Sequence, residues 1–193
     1  MRIISGKFRG LKLQPPLGSN TRPTSDRLKE ALFSILESHK YNLNINTSKV
    51  LDICSGTGAL GIEAISRGAK VVYFIEKDPK ATDVIEKNIS KLKKNNQNAI
   101  YVKLIKDDAI KALGKISAIF DIVFIDPPYN SSIIEECLIG LKELNLINND
   151  SYIFTESSKK ESFEFDGYEI FDTKTYGKSK LTILRLIRSC SIE

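Results

Sequence analysis

Two short stretches of the chain carry residue types that could do chemistry. One is Asp52-Ile-Cys-Ser55-Gly56-Thr-Gly58-Ala-Leu-Gly61. Glycines at 56 and 58 let the backbone turn tightly and approach a ligand with no side chain in the way. Glycine at 61 lets a helix pack close to the strand before it. Glu76 comes 20 residues after Gly56, the spacing at which an acid accepts the two ribose hydroxyls of a nucleoside. The other stretch is Asp126-Pro127-Pro128-Tyr129. An exocyclic amino group on a nucleic-acid base is a poor nucleophile, because its lone pair is delocalised into the ring. The Asp126 carboxylate and the Pro127 carbonyl are two acceptors for its two N–H groups. Held that way, the nitrogen becomes pyramidal and turns its lone pair toward a methyl sulfonium. Pro127 and Pro128 fix the loop and remove competing backbone donors. Tyr129 offers a ring on which the base can stack, and alignment supplies much of the rate of such a transfer. A rigid turn is the plainer reading of Asp-Pro-Pro. Its position, directly after a strand-like run and downstream of the glycine loop, favours the catalytic one.

A glycine loop followed by a ribose-binding acid suits NAD as well as S-adenosyl-L-methionine. Two details favour the methyl donor. Asp52 puts a carboxylate just before the glycines, which suits the cationic amino-acid end of that cofactor and opposes a pyrophosphate. Nothing later in the chain resembles a nicotinamide site with a hydride-transfer histidine; the single histidine, His39, follows a predicted helix and reads as a solvent-exposed helix end. Asp107 and Asp108 end the next strand-like run, where an acid can meet the adenine amino group; helix capping is an equal reading of both. The expected cofactor contacts are Asp52, Ser55, Gly56, Gly58, Gly61, Glu76, Lys77, Asp108, Ala109 and Asp126. The expected catalytic set is Asp126, Pro127, Pro128 and Tyr129.

These residues need elements to place them. Short β-branched or aromatic runs occur at 50–53, 71–75, 100–105 and 122–125, separated by helix-like stretches at about 59–67, 79–94 and 108–113. Alternation of this kind predicts a parallel sheet covered by helices on both faces. Ligands in such sheets bind at the carboxyl ends of the strands, so the two motifs should face one another. After a helix at about 131–143, strand signals continue at 152–155, 168–173 and 181–186. No helix separates the last two, which predicts a terminal hairpin and one antiparallel strand. Upstream, 14–24 is a loop rich in proline. Two extended runs flank Arg9-Gly10 and predict a β-hairpin. Ser25 or Asp26 can cap a helix running to about 38, with Leu28, Leu32, Phe33, Ile35 and Leu36 on its apolar side.

Bulk properties narrow the partners. A chain of 193 residues, 41% hydrophobic and 27% charged, is enough for one well-packed domain. It has no apolar run long enough to span a membrane and no signal-peptide pattern, so a cytoplasmic protein is expected. Cys54, Cys137 and Cys190 are far apart and form no Cys-x-x-Cys pair, which argues against a disulfide framework or a metal site. Residues 1–30 hold Arg2, Lys7, Arg9, Lys12, Arg22, Arg27 and Lys29 against Asp26 and Glu30. That segment alone accounts for the whole chain's +5. A concentrated basic end suits a phosphate-tracking surface, and it equally suits a solubilising face. Nothing signals a large exposed apolar interface, so a monomer is expected.

The residues also resemble a known family. Asp126-Pro-Pro-Tyr129 marks amino-group methyltransferases of DNA, RNA and protein. The chain as a whole is similar to the RsmD family of bacterial 16S ribosomal RNA guanine-N2 methyltransferases. The match covers nearly all of 1–187: Arg2-Ile-Ile-Ser-Gly-Lys-Phe-Arg-Gly, Arg22-Pro-Thr-Ser-Asp-Arg27, the glycine loop from Leu51, Phe74-Ile-Glu, Asp108-Ala, Asp126-Pro-Pro-Tyr129, Tyr176-Gly and the last strand. Of these, Arg22 to Arg27 is the most discriminating. Cys54, Ser55 and Lys106 are positions where the family varies. The resemblance implies an α/β, Rossmann-like S-adenosylmethionine-dependent methyltransferase fold. Its sheet has seven strands, mostly parallel with an antiparallel C-terminal strand, and a small N-terminal hairpin and helix are added. It implies a hairpin and loop extension at 1–24, a methyltransferase domain at 25–187 and a disordered tail at 188–193. It also implies methyl transfer to guanine N2 in 16S ribosomal RNA, within an assembled or partly assembled small subunit. Arg2, Lys7, Arg9, Arg22 and Arg27 then fall on RNA phosphates and Thr24 near the cofactor or target base; structural roles for Arg22 and Arg27 stand equally. A DNA adenine-N6 methyltransferase would share the four-residue motif but usually carries a separate target-recognition insert, for which this chain has no room. An inactive RNA-binding protein on a cofactor fold would not need Asp126 and Tyr129.

Overall fold

The computed structural model describes residues 1–16, 26–94, 100–128 and 132–187. Among them run α1 (Asp26–Leu36), a 3₁₀ turn (His39–Tyr41), β1 (Lys49–Ile53), α2 (Ala59–Ser66), β2 (Val71–Glu76) and α3 (Pro79–Lys94). There follow β3 (Tyr101–Lys106), α4 (Ala109–Leu113), β4 (Ile122–Ile125), α5 (Ile133–Glu143), β5 (Tyr152–Ser158), β6 (Tyr168–Tyr176) and β7 (Ser179–Leu186). The strands form one seven-stranded sheet in the order β3-β2-β1-β4-β5-β7-β6. Pairing is parallel from β3 to β5, and β7 runs antiparallel to both of its neighbours. This is the expected mixed sheet, reversed at the C-terminal strand. The order changes direction at β1 and β4, which places the ends of those two strands at the crevice where such sheets bind ligands.

The strand residues divide between two cores with a period of two. Val50, Val72, Phe74, Ile122, Phe124, Tyr152 and Phe154 face α1, α2 and α3. Leu51, Ile53, Ile75, Val123, Ile125 and Ile153 face α4 and α5. On the first face Phe33 of α1 meets Phe124 edge-on, with ring centroids 5.8 Å apart. Helix α2 is buried along its whole length, because the sheet lies on one side of it and the N-terminal segment on the other. Among the described residues no helix is long and apolar enough to cross a membrane.

The N-terminal segment pairs its two runs only briefly, with the Ile3 amide donating to the Leu11 carbonyl at 3.1 Å and the Leu13 amide to the Met1 carbonyl at 3.2 Å. It forms one antiparallel bridge, Arg2 to Lys12, with the chain turning over 5–10. Beyond that pair the amides of the segment turn to α2. The Ile4 and Ser5 amides donate to the Glu63 carboxylate at 2.8 and 2.9 Å. The Lys7 amide donates to the Ser66 carbonyl at 2.6 Å, and the Phe8 amide to the Ser66 hydroxyl at 3.0 Å. These bonds tie the outer edge and the turn of the segment to a helix, and the pairing of the two runs does not extend past Ile3 and Leu11. Gly6, at φ +79°, lies so close that a Cβ would fall 2.0 Å from the Ser66 carbonyl oxygen. Ile3, Phe8 and Leu13 are buried in the core beneath the segment. Helix α1 also ends earlier than expected, at Leu36, before the 3₁₀ turn. Ser25, Cys190 and the tail at 188–193 lie outside the described residues.

Candidate active site at the carboxyl end of the sheet

Four carboxylates rise from adjacent strands on one face. In register, Phe74, Asp52, Phe124 and Phe154 lie side by side across β2, β1, β4 and β5. Two residues further along, on the same face of the pleat, come Glu76, Asp126 and Glu156. The Asp126 amide extends the ladder past β4 by donating to the Ile53 carbonyl at 3.4 Å. Asp52 therefore sits one pleat beneath the other three acids, among phenylalanine rings, and is 1% exposed. Burial holds its carboxyl well above the ordinary range; the Gly61 amide opposes this, while Asp126 and Glu76 reinforce it.

The glycine loop is folded by its own polar groups. The Ser55 hydroxyl donates to the Asp52 carbonyl at 2.6 Å, and the Gly58 amide donates to the Ser55 carbonyl at 2.7 Å. Oε2 of Glu76 accepts the Gly56 amide at 2.8 Å, and its Oε1 accepts the Lys77 and Asp78 amides at 2.9 Å. Gly56, Gly58 and Cys54 all hold positive φ. From α3, the buried Asn88 donates to the Thr57 carbonyl at 3.2 Å and accepts the Gln14 amide at 2.7 Å. One amide side chain thus joins the glycine loop to the N-terminal segment.

These elements enclose a cavity of about 480 Å³, within the usual span for small-molecule sites. Asp52, Ser55, Gly56, Glu76, Lys77, Asp108, Ala109, Asp126, Pro127 and Pro128 line it, so the structure brings both motifs to one space. Asp108 also caps α4, accepting the Ile110 amide at 3.2 Å, so its two readings coexist. Lys77 reaches Asp108 at 3.6 Å across the rim. Asp107 lines the rim too and is ion-paired with Lys115, which holds its carboxyl below the ordinary range.

Gly58 and Gly61 are not among the lining residues. A Cβ on Gly61 would fall 2.3 Å from the Phe74 ring, and one on Gly58 would fall 3.3 Å from it. Both serve helix–strand packing. Arg2, Lys7, Arg9 and Arg27 are exposed on the N-terminal segment and α1, outside the cavity. Lys29, counted with the basic end from the sequence, turns inward instead. It is 1% exposed, donates to the Arg2 carbonyl at 3.0 Å and pairs with Asp26 at 3.2 Å. Arg22, Thr24 and Tyr129 lie outside the described residues.

Sequence reasoning missed Pro16, Leu28, Cys54, Ile133, Glu156, Tyr176 and Ser179, which also line the cavity. Glu156 had a readable signal, an acid late in a strand run, of the kind that marked Glu76. Tyr176 and Ser179 come from the β6–β7 turn, which only the sheet order brings alongside β5.

The family described as conserved hypothetical protein 95 matches residues 1–185. Ribosomal RNA small subunit methyltransferase D of Haemophilus influenzae is 34% identical, over 92% of this chain and 89% of that one. The Escherichia coli protein of the same name is 34% identical over 81% of this chain and 74% of that one. Among solved structures, the yhhF protein of Escherichia coli superposes with a TM-score of 0.79 at 30% identity, covering 96% of this chain and 97% of that one. The family match over 1–185, relatives 34% identical over most of the chain and a superposable solved structure agree, and this chain belongs to the RsmD family.

Proposed function

We propose that this protein transfers a methyl group from S-adenosyl-L-methionine to the exocyclic N2 of a guanine in 16S ribosomal RNA of the small ribosomal subunit. The observation that carries the reading is the shared cavity: Asp126-Pro127-Pro128 borders the same space as the glycine loop and Glu76. The relatives' names, small-subunit ribosomal RNA methyltransferases, support the substrate.

The cavity suits that cofactor chemically. Asp52 and Glu76 are acceptors for an ammonium and for ribose hydroxyls, Asp108 for an adenine amino group, and Ile75, Ala109 and Ile133 provide apolar wall. Acids grouped in a cavity walled partly by apolar side chains favour a cationic ligand. S-adenosyl-L-methionine supplies, when bound, a methyl group on cationic sulfur. The chain's own part is to hold the acceptor nitrogen. Asp126 and the Pro127 carbonyl take its two N–H groups, Pro127 and Pro128 keep the loop stiff, and Tyr129 stacks on the base. Residues 1–24 serve as an RNA-facing extension of the domain at 25–187. Arg2, Lys7, Arg9, Arg22 and Arg27 lie along phosphates, and Thr24 lies near the reacting groups. Such a substrate puts the protein's work in the cytoplasm.

Tritiated methyl donor, offered with small ribosomal subunits and separately with naked DNA, tests the reading. Label should enter 16S RNA, and digestion with mass spectrometry should find N2-methylguanosine. Label in DNA alone would refute the RNA assignment. Asp126→Ala should lower transfer by at least about a hundredfold, as loss of a preorganised polar contact does, while cofactor binding survives. Undiminished turnover would remove Asp126 from its role.

A further inference from the structure

We propose that Glu156 is the residue by which this site chooses guanine, its carboxylate accepting the N1–H of the target base beside the N2 amino group held by Asp126 and Pro127. The inference rests on the amino-group transfer read above and adds how the base is told from adenine. It starts from placement. Ile125 pairs with Thr155, so the next pleat sets Asp126 and Glu156 at one level on neighbouring strands, about 4.8 Å apart at the backbone. Both follow rings that touch, Phe124 and Phe154, with centroids 5.9 Å apart. Both line the cavity together with Pro127 and Pro128. The position is also stiff: β5 is hydrogen-bonded on both sides, to β4 and to β7, where Glu156 pairs with Leu181.

The two candidate bases differ at the atom next to the amino group. Guanine carries a protonated N1, a donor, beside its N2 amino group. Adenine carries an unprotonated N1, an acceptor, beside its N6 amino group. An ionised carboxylate only accepts. Guanine therefore satisfies Glu156 and Asp126 together with three N–H groups. Adenine would bring two N–H groups and set its N1 lone pair against the Glu156 oxygens. A site built to bond a polar group rejects the analogue that lacks it far better than a site selecting by size. Glu76 and Asp52, on β2 and β1, lie toward the glycine loop, and the acids on the β5 side of the cavity are Asp126 and Glu156, with Tyr176 and Ser179 also in its lining.

The test places guanosine or 2-aminopurine ribonucleoside at the mapped target position of otherwise identical small subunits. 2-Aminopurine keeps the N2 amino group but has an acceptor at N1. The native protein should methylate guanine faster by at least about tenfold, the range of one good base contact. Glu156→Gln places an amide N–H against N1, and should shift the guanine-to-2-aminopurine ratio toward 2-aminopurine by about tenfold or more. Glu156→Ala, which offers neither donor nor acceptor, should bring the ratio toward one with the cofactor Kd unchanged. It serves equally if the Gln variant fails to fold. A ratio unmoved in the variants overturns the proposal, and so does a Gln variant that binds cofactor and subunit yet methylates neither base. A native protein that methylates no guanine fails the proposed function itself, before the ratio is read.

Discussion

Glu63→Gln should loosen the N-terminal segment while leaving the sheet intact. The Glu63 carboxylate is 1% exposed and accepts the Ile4 amide at 2.8 Å, the Ser5 amide at 2.9 Å and Nε of Arg67 at 3.0 Å. Glutamine keeps the shape but replaces one acceptor oxygen with a donor, so one backbone N–H must face an NH₂ group. Hydrogen bonds to a charged partner contribute about 1.5–3 kcal/mol each, and a buried donor left unmatched adds to the loss. Arg67 retains Glu37 at 2.8 Å, with that carboxylate half-exposed, which limits the damage. The expected loss is about 2–4 kcal/mol, a sizeable share of the 5–15 kcal/mol typical of a domain. It should appear locally, because Asn88 and Lys29 still hold the segment at 14 and 2. Native-state hydrogen exchange reads this directly. The amides of Ile4 and Ser5 should exchange about thirty- to seven-hundredfold faster, that energy expressed as an equilibrium. Amides of β1 and β4 should hold their rates. If the segment carries the RNA contacts, affinity for small subunits should fall while the cofactor Kd stays within about twofold. Unchanged exchange at Ile4 and Ser5, or equal acceleration in β1 and β4, would refute the assignment of Glu63 as a local clamp.

Two further outcomes follow from the packing and charge of the glycine loop. Gly61→Ala would set a methyl group 2.3 Å from the Phe74 ring and 3.1 Å from Oδ2 of Asp52. Overpacking of this kind costs about 1–3 kcal/mol, a fall of about 2–12 °C in Tm for a chain this long, and a thermal scan within about 1 °C of the native protein would contradict it. Cys54 lines the cavity, yet its thiol is pushed up from an ordinary 9.0 to about 12, mainly by burial and then by Glu76, Asp126 and Asp52. A raised thiol pKa keeps the sulfur protonated through neutral pH, with about a thousandfold less thiolate than an ordinary cysteine at pH 8. Iodoacetamide labelling of Cys54, followed by peptide mapping, should still climb about tenfold per pH unit between pH 9 and 10.5; a rate that levels off by about pH 10 would show an ordinary thiol.

Much of this molecule is legible in its sequence, because its signals are local. The runs at 50–53, 71–75 and 122–125 are short, β-branched and bounded by turns, and they became β1, β2 and β4 within a residue. The glycine loop and Asp126-Pro-Pro occupy fixed offsets from strand ends, so the fold class itself predicts that they meet. The signal fades where tertiary contacts decide. Residues 1–13 have the alternation of a hairpin, and nothing in them announces that a helix about 60 positions later will take their amides. Gly61 reads as a helix–strand packing glycine and the ring of Phe74 fills the space beside it as expected, whereas nothing in the motif announces that the same ring also lies beside Gly58.

The polar residues of α2 and α3 show why the rest stays hidden. Glu63 and Ser66 fall on the polar side of α2, where polar helix residues are ordinarily exposed, and Asn88 is a polar residue within the apolar stripe of α3, between Val84, Ile85 and Leu92. Here each is buried, at 1%, 2% and 0% exposure, because its partners are backbone groups of residues 4–14. Burial of this kind is tolerable only with the partners in place, so the three residues and the segment depend on one another. Asn88 adds its bond to Thr57 in the glycine loop, and Pro16 and Leu28 reach the cavity wall. The basic segment is therefore structurally continuous with the cavity that would hold the methyl donor. Displacing the segment would expose the Glu63 carboxylate and leave the Asn88 oxygen without the Gln14 amide, while the Asn88–Thr57 bond stays in place, so Glu63 and Ser66 set the placement of Arg2, Lys7 and Arg9 and Asn88 is a side chain that the segment and the glycine loop share.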